Sequence, residues 1–297
     1  MSTIESNTMS DSDRSEHSTA DERTDEESVV ATITASANNL RRMISDASVS
    51  SGSEPLYDRL HLAVGGTDTD EAGVDLVGGL RSGGVMTYST YTQWYFNSSS
   101  GTAEAVIEVE NFLDYLDIAS DGGEVSLLFK QDDEDARLAQ QLEIRGKLTS
   151  SIMLPSGSSV LQYIPLSLTD RFDDDGHMLR ESGEPLATEV HTSAADLEKI
   201  VDAVDLQAGE SFYPLVVEDG EFLIEVGDPQ TQLITGDLSG RVEGEDFASH
   251  FADEFEMIVD SLRGEVRIEH EPNQLASFVV DDGDHVTRTV MGVAQQR

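Results

Sequence analysis

From Val29 to Ala35 the chain reads Val-Val-Ala-Thr-Ile-Thr-Ala, an apolar–polar alternation rich in β-branched side chains. That period of two predicts a half-buried strand. Ser36 then stands as an N-cap before Leu40, Met43, Ile44 and Ala47, whose spacing predicts a short helix with one apolar face. Short strands are predicted next at Leu60–Val64, Gly73–Val77, Val85–Thr90, Gln93–Phe96 and Ala103–Val109, separated by glycine pairs and acidic turns. A second helix is predicted over about 110–119, with Phe112, Leu113, Leu116 and Ile118 apolar. Val125–Phe129, Leu138–Ile144 and Leu148–Leu154 read as strands that complete this half.

Two stretches lack such patterning. Residues 1–28 are almost wholly Ser, Thr, Asp and Glu, too polar to offset the entropy of ordering, and are expected to form a disordered tail. Residues Pro155–Leu186 carry Gly, Pro, Ser and Asp173-Asp-Asp-Gly176 without a sustained period, and read as a connector between domains 29–154 and 187–297. Beyond it the pattern restarts. Thr34-Ala-Ser-Ala-Asn-Asn-Leu-Arg-Arg-Met-Ile44 matches Val190-His-Thr-Ser-Ala-Ala-Asp-Leu-Glu-Lys-Ile-Val201, and Glu110-Asn-Phe…Gly123-Glu-Val-Ser-Leu matches Asp253-Glu-Phe…Gly264-Glu-Val-Arg-Ile. Two echoes in the same order imply a duplicated α+β unit, each a sheet with two short helices on one face. Open sheet edges in such units invite pairing with another copy, and a closed ring is the orderly result of head-to-tail pairing.

Charge changes the picture next. The chain has 59 acidic and 18 basic residues, a net charge of −41. The first 28 residues hold nine acids and two arginines, so a net −34 remains on the folded body. Self-repulsion of that size opposes compaction at low salt and fades in molar salt, where the Debye length is about 3 Å. Cysteine is absent, which excludes disulfides and thiol chemistry. Neither a basic-then-apolar N-terminus nor an 18-residue apolar run is present, so the reading is cytoplasmic, with no membrane partner.

No catalytic set is visible. Asp68-Thr-Asp-Glu-Ala-Gly73 begins like a calcium loop but has Ala72 at position five and Gly79 at twelve, and Arg171-Phe-Asp-Asp-Asp-Gly176 starts on an arginine. The seven histidines form no His-x-x-x-His pair, no Gly-x-Ser-x-Gly is present, and the glycine pairs lack the Lys-Ser/Thr of a phosphate loop. The expectation is a protein that is not an enzyme and takes no metal or cofactor. Trp94-Tyr-Phe96 reads as core or edge packing.

Ser193-Ala-Ala-Asp-Leu-Glu-Lys-Ile-Val-Asp-Ala-Val204, Phe251-Ala-Asp-Glu-Phe-Glu-Met-Ile-Val-Asp-Ser-Leu262 with Glu265–Glu269, and the pair Gln274–Val280 and Asp284–Val290 resemble helices, strand and closing hairpin of the DNA sliding clamp, the proliferating cell nuclear antigen family. Val29–Ser45 and Val109–Leu128 match in order, so the resemblance covers about 29–294. With the charge, it implies a divergent member from a salt-loving archaeon or one of its viruses. It further implies a homotrimeric ring that encircles duplex DNA as a processivity factor, placed by a clamp loader and tethering DNA polymerase or other replication and repair enzymes. On that resemblance Arg41, Arg42, Lys199 and Arg263 are the candidate phosphate contacts on the hole-facing helices. Leu148, Ile152 and Leu154 of one subunit would meet Leu233, Ile234 and Leu238 of the next. Partner peptides would dock at Leu161, Tyr163, Ile164 and Leu166 of the connector and at Val290, Met291, Gly292 and Val293. The chain departs from the family in its Gly-rich Val77–Gly84 turn, its long connector, its acidic tail and its ending without Ala-Pro-Arg or Ala-Pro-Lys. An alternative reading is a clamp-like acidic scaffold or decoy that has lost standard DNA or peptide binding.

Overall fold

The computed structural model describes residues 29–51, 54–65, 73–132, 136–207, 212–228, 230, 232–272 and 274–294. The expected acidic tail and most of the Asp68–Gly73 segment lie outside them. The first half runs β1 (Val29–Ser36), α1 (Ala37–Ala47), the two-residue strands β2 (Ser50–Ser51) and β3 (Glu54–Pro55), β4 (Arg59–Val64), β5 (Val74–Gly79), β6 (Val85–Tyr91), β7 (Ser98–Gly101), β8 (Ala103–Glu108), α2 (Val109–Ala119), β9 (Glu124–Lys130), β10 (Gln141–Arg145) and β11 (Thr149–Met153). The second half runs β12 (Thr188–Ser193), α3 (Ala194–Asp205), β13 (Tyr213–Glu218), β14 (Glu221–Asp228), β15 (Gln232–Asp237), β16 (Arg241–Gly244), β17 (Phe247–Phe251), α4 (Glu254–Ser261), β18 (Glu265–Glu271), β19 (Leu275–Asp281) and β20 (His285–Gly292). Apart from β2 and β3 the two halves share one order of elements. The fold is α+β, a duplicated unit.

The same local chemistry starts both halves. Ser36 and Ser193 hold extended backbone before their helices, and each hydroxyl accepts the N–H three residues on, from Asn39 and Asp196. That satisfies one of the donors that a helix N-terminus leaves unpaired. Leu40, Met43, Ile44 and Ala47 of α1, and Leu197, Ile200, Val201 and Val204 of α3, then face the core. A single apolar core runs through both halves, from Ile33 and Leu62 to Phe255 and Phe278.

Apart from the two-stranded sheet β2-β3, the strands form one continuous ribbon. A five-stranded sheet has the order β11-β10-β9-β1-β7, a nine-stranded sheet the order β16-β12-β18-β19-β20-β6-β5-β4-β8, and a four-stranded sheet the order β15-β14-β13-β17. Only Thr102 separates β7 from β8, and only Glu245 and Asp246 separate β16 from β17, so these edges are corners where the chain turns from one sheet into the next. The halves join where β20 pairs antiparallel with β6, Thr289 opposite Thr87 and Val290 opposite Met86.

Between β11 and β12 the chain makes two 3-10 turns, Ser158–Tyr163 and Leu166–Arg171, and two isolated bridges. This connector crosses the face of the nine-stranded sheet opposite the core. Ile164 packs with Val77 and Val106, and Leu168 and Met178 pack with Val290.

Three expectations are corrected. Gln93–Tyr95 is a 3-10 turn rather than a strand, and Trp94 is 71% exposed instead of packed. Gly78 and Gly79 lie inside β5 rather than in a turn; a Cβ on Gly78 would stand 2.6 Å from Leu60 and Tyr57, so close packing keeps that position bare. In α2 the buried residues are Val109, Phe112, Leu116 and Ala119, which leaves Ile118 about 100° off the stripe and exposed.

Candidate functional site

The ribbon of strands has two ends, β11 and β15, each paired on one side only among the described residues. They are equivalents of the strands that join the halves: β11 corresponds to β20, and β15 to β6. Core-facing side chains set the match, with Ile152 at the place of Met291 and Leu238 at that of Tyr91, all four buried. The remaining backbone donors and acceptors of both edges point away from the chain, and unpaired edge groups of this kind template pairing with another strand.

Apolar side chains flank the same two edges. Leu148 and Met153 bracket β11 at 57% and 74% exposed, and Ile118 projects from α2, which packs on β11. On the other side are Leu233 of β15 and Leu206 at the end of α3, 72% exposed. The neighbouring Gln207 amide lies over Gly227, which pairs with Leu233. Among the described residues, the exposed large apolar side chains outside this group are Trp94 and Tyr163. Ile152, Leu154 and Leu238 are buried in the chain's own core and Ile234 is half-buried, so of the residues anticipated here Leu148 and Leu233 carry the exposed surface. Ile118, Met153 and Leu206 were missed; the sequence signal for Ile118 was its place off the helical stripe.

The four helices carry eleven acidic and three basic residues, a net −8. Every basic side chain anticipated as a phosphate contact is engaged within the chain. Arg41 pairs with Asp117 at 2.6 Å, and Arg42 with Asp282 at 2.6 Å and Asp46 at 3.4 Å. Lys199 pairs with Asp196 at 2.6 Å, and Arg263 donates to the carbonyls of Asp260 and Leu262. Burial raises Asp46 to about 6, opposed by the Arg42 charge. The structure does not bring these four cations into one free patch.

Across the connector face, Tyr163 is exposed beside a cleft of about 410 Å³ lined by Leu56, Tyr57, Leu80, Arg81, Val160 and Ile164. Arg81 lies 4.7 Å above the Tyr163 ring. Leu161 and Leu166 are half-buried against the sheet, while Ile164, Val290 and Met291 are already buried. Gly292 ends β20, its N–H donating to Gly84 O at 3.0 Å, and Val293 follows it with its N–H on Gln274 O at 3.0 Å.

No protein-family model matches the sequence, and no curated relative is found by sequence. The fold matches solved clamps. Proliferating cell nuclear antigen from A. fulgidus, in a structure described as bound to the C-terminal region of FEN-1, aligns at TM-score 0.66 and 11% identity over 90% of this chain and 99% of that one. The Entamoeba histolytica protein aligns at TM-score 0.61 and 11% identity, covering 90% and 100%. The DNA polymerase III beta chain of Streptococcus pneumoniae aligns at TM-score 0.65 and 14% identity, covering 89% of this chain and 65% of that one. A duplicated sheet-and-helix unit joined edge to edge, superposable on archaeal, eukaryotic and bacterial clamps, has the sliding-clamp fold.

Proposed function

We propose that this chain is the subunit of a head-to-tail ring, a homotrimer, that encircles duplex DNA and tethers replication or repair enzymes. One observation carries the reading: the two ribbon ends, β11 and β15, each paired on one side only among the described residues, are the equivalents of β20 and β6, which pair inside the chain. A second copy offering β15 to β11 repeats a joint that the molecule already makes, and buries the exposed apolar side chains along it. The folds of the A. fulgidus and Entamoeba histolytica clamps support the same arrangement. A clamp loader and DNA polymerase are the partners this role requires. The cleft beside Tyr163 is the place offered for a partner segment, by analogy with the FEN-1 region described on the A. fulgidus protein.

The internal register transfers to the joint. Val290 faces Met86 within the chain, and their equivalents are Ser151 and Leu233. Directly opposed antiparallel residues have Cα atoms about 4.5–5.5 Å apart, inside the disulfide range. In this cysteine-free chain the double variant Ser151→Cys/Leu233→Cys should therefore give interchain-linked species up to a closed trimer on non-reducing gels. Each single variant should not. A double variant that stays monomeric under oxidant in about 2 M salt, as screening there is near complete, sinks the ring.

A second reading is favoured by the net −8 of the helix face and the pairing of its cations. In it the same fold is an acidic scaffold for basic proteins. Retention on closed circular DNA separates the two.

A further inference from the structure

We propose that His177, Glu189 and Glu269 form a site for one divalent transition-metal ion of the zinc or cobalt type, which pins the connector to the sheet. Glu189 on β12 and Glu269 on β18 are directly opposed Cα partners with both side chains on the connector face. Like charges so placed repel across a sheet. Into the gap between them the connector delivers His177, whose Nδ1 lies 2.9 Å from Glu269 Oε1 and 3.4 Å from Glu189 Oε2. One donor atom from each of the three lies within 4.8 Å of the others. Ligands held about 2.0–2.1 Å from a tetrahedral ion stand roughly 3.3 Å apart. The two distances from the imidazole already lie within tenths of an ångström of that spacing.

Hydrogen bonds hold the donor groups in place. The other Glu269 oxygen accepts the Met178 N–H at 2.9 Å, and Asp173 Oδ1 accepts the His177 N–H at 2.7 Å, fixing the loop that presents the imidazole. The other Glu189 oxygen contacts the His191 ring, which holds that carboxylate in place. Arg267 crosses the same place: its Nη1 lies 3.3 Å from His177 Nδ1 and 3.5 Å from Nε2, and its Nη2 lies 3.3 Å from Glu269 Oε1.

An ion on Nδ1 takes the carboxylates and releases Arg267. That guanidinium borders an adjoining cleft of about 380 Å³ lined by Asp173, Asp174, Asp175 and Asp281, where a displaced cation finds acceptors. One imidazole with two carboxylates selects zinc-like ions over magnesium or calcium, which take oxygen ligands. The ion would join the connector to β12 and β18.

The test uses the full chain, stripped with chelator in about 2 M KCl so that diffuse binding to its acidic surface is screened. Titration with Co²⁺ should show visible d–d bands that saturate at one ion per chain. His177→Gln and the partly exposed Glu189→Gln should each weaken binding by at least about 10-fold, while His17→Gln, outside the described residues, should leave it unchanged. Zn²⁺ should raise the melting temperature of wild type and not of either variant. Circular dichroism of both variants in the same salt shows whether they are folded; if His177→Gln is not, Glu189→Gln decides. No saturable Co²⁺ band in wild type, or retention by the folded variants equal to wild type, overturns the site.

Discussion

His270 shows how one buried side chain ties stability to pH. It is fully buried, its Nε2 lies 2.9 Å from Ser249 Oγ, its ring stacks 3.8 Å from Phe247, and its Nδ1 has no hydrogen-bond partner. Burial disfavours the imidazolium and lowers the group to about 4, from an ordinary 6.5. Between those values the unfolded chain binds more protons than the folded one, so stability is present above pH 6.5 and is lost as pH falls toward 4. The full effect is about 3 kcal/mol. Asp46 and Asp75, each raised to about 6 by burial, act in the opposite direction, stability rising as pH falls through the same range. They remain in a His270→Phe variant, so the comparison isolates the histidine. Thermal melts at pH 7.5 and 5 should show a smaller acid loss in His270→Phe than in wild type; equal losses would show that His270 charges freely in the fold.

At the scale of elements, local signals and tertiary context divide the work. The two serine caps act through backbone geometry alone, at Ser36 and at Ser193. Replacing either by alanine should destabilise the protein by about 1 kcal/mol. The two sites are far apart, and the double variant should lose close to the sum. Denaturant melts followed by circular dichroism check both numbers; a double variant no less stable than the singles would show that the caps are redundant. Tertiary context decides β15 instead. It is exposed along nearly its whole length, with little core-facing pattern, and is a strand because β14 pairs with it from Leu223–Asp237 to Asp228–Gln232. Gln93–Tyr95 is the converse. Its aromatics suit a strand, yet the Tyr95 hydroxyl donates to Asn39 O and holds the segment against α1 as a turn.

For the whole molecule, charge should govern the proposed assembly. A net −41 on 297 residues opposes bringing copies of the chain together until salt screens it. The helix face, at net −8 with its cations paired, offers duplex phosphates few direct contacts. An ordinary basic DNA-binding face loses affinity with salt, each phosphate contact adding about 0.9 to the log–log slope. In the proposed ring, both closure and passage of DNA through a layer of cations should favour high salt. Retention on closed circular DNA, with a loader present, should rise between about 0.2 and 2 M KCl, as the Debye length shortens to a few ångströms. Light scattering on the same samples reports the ring independently. Retention that falls steeply with salt would restore direct contact through Arg41, Arg42 and Lys199. A ring that is never retained at any salt supports the acidic scaffold.

The sequence by itself determined the periodic elements and their duplication. Strand alternation, helical stripes and serine caps are local properties, legible wherever burial follows one face, as in Val29–Ala35 and Leu40–Ala47. The ordered echoes around Ser36 and Ser193, and around Phe112 and Phe255, carried the α+β repeat and the resemblance to clamps. Tertiary structure decided what depends on partners distant in the chain. The joining of β20 to β6 leaves β11 and β15 as the ribbon ends among the described residues, and no local pattern encodes which edges end the ribbon. The arginines of α1 looked available because their acceptors, Asp117 and Asp282, lie 76 and 240 residues away. His177, Glu189 and Glu269 share no spacing that a motif reads, and meet only because the connector folds back over two strands paired in register. Periodicity records which side of an element is buried; proximity across the fold is set by pairing and packing, which a single chain's order of residues leaves open.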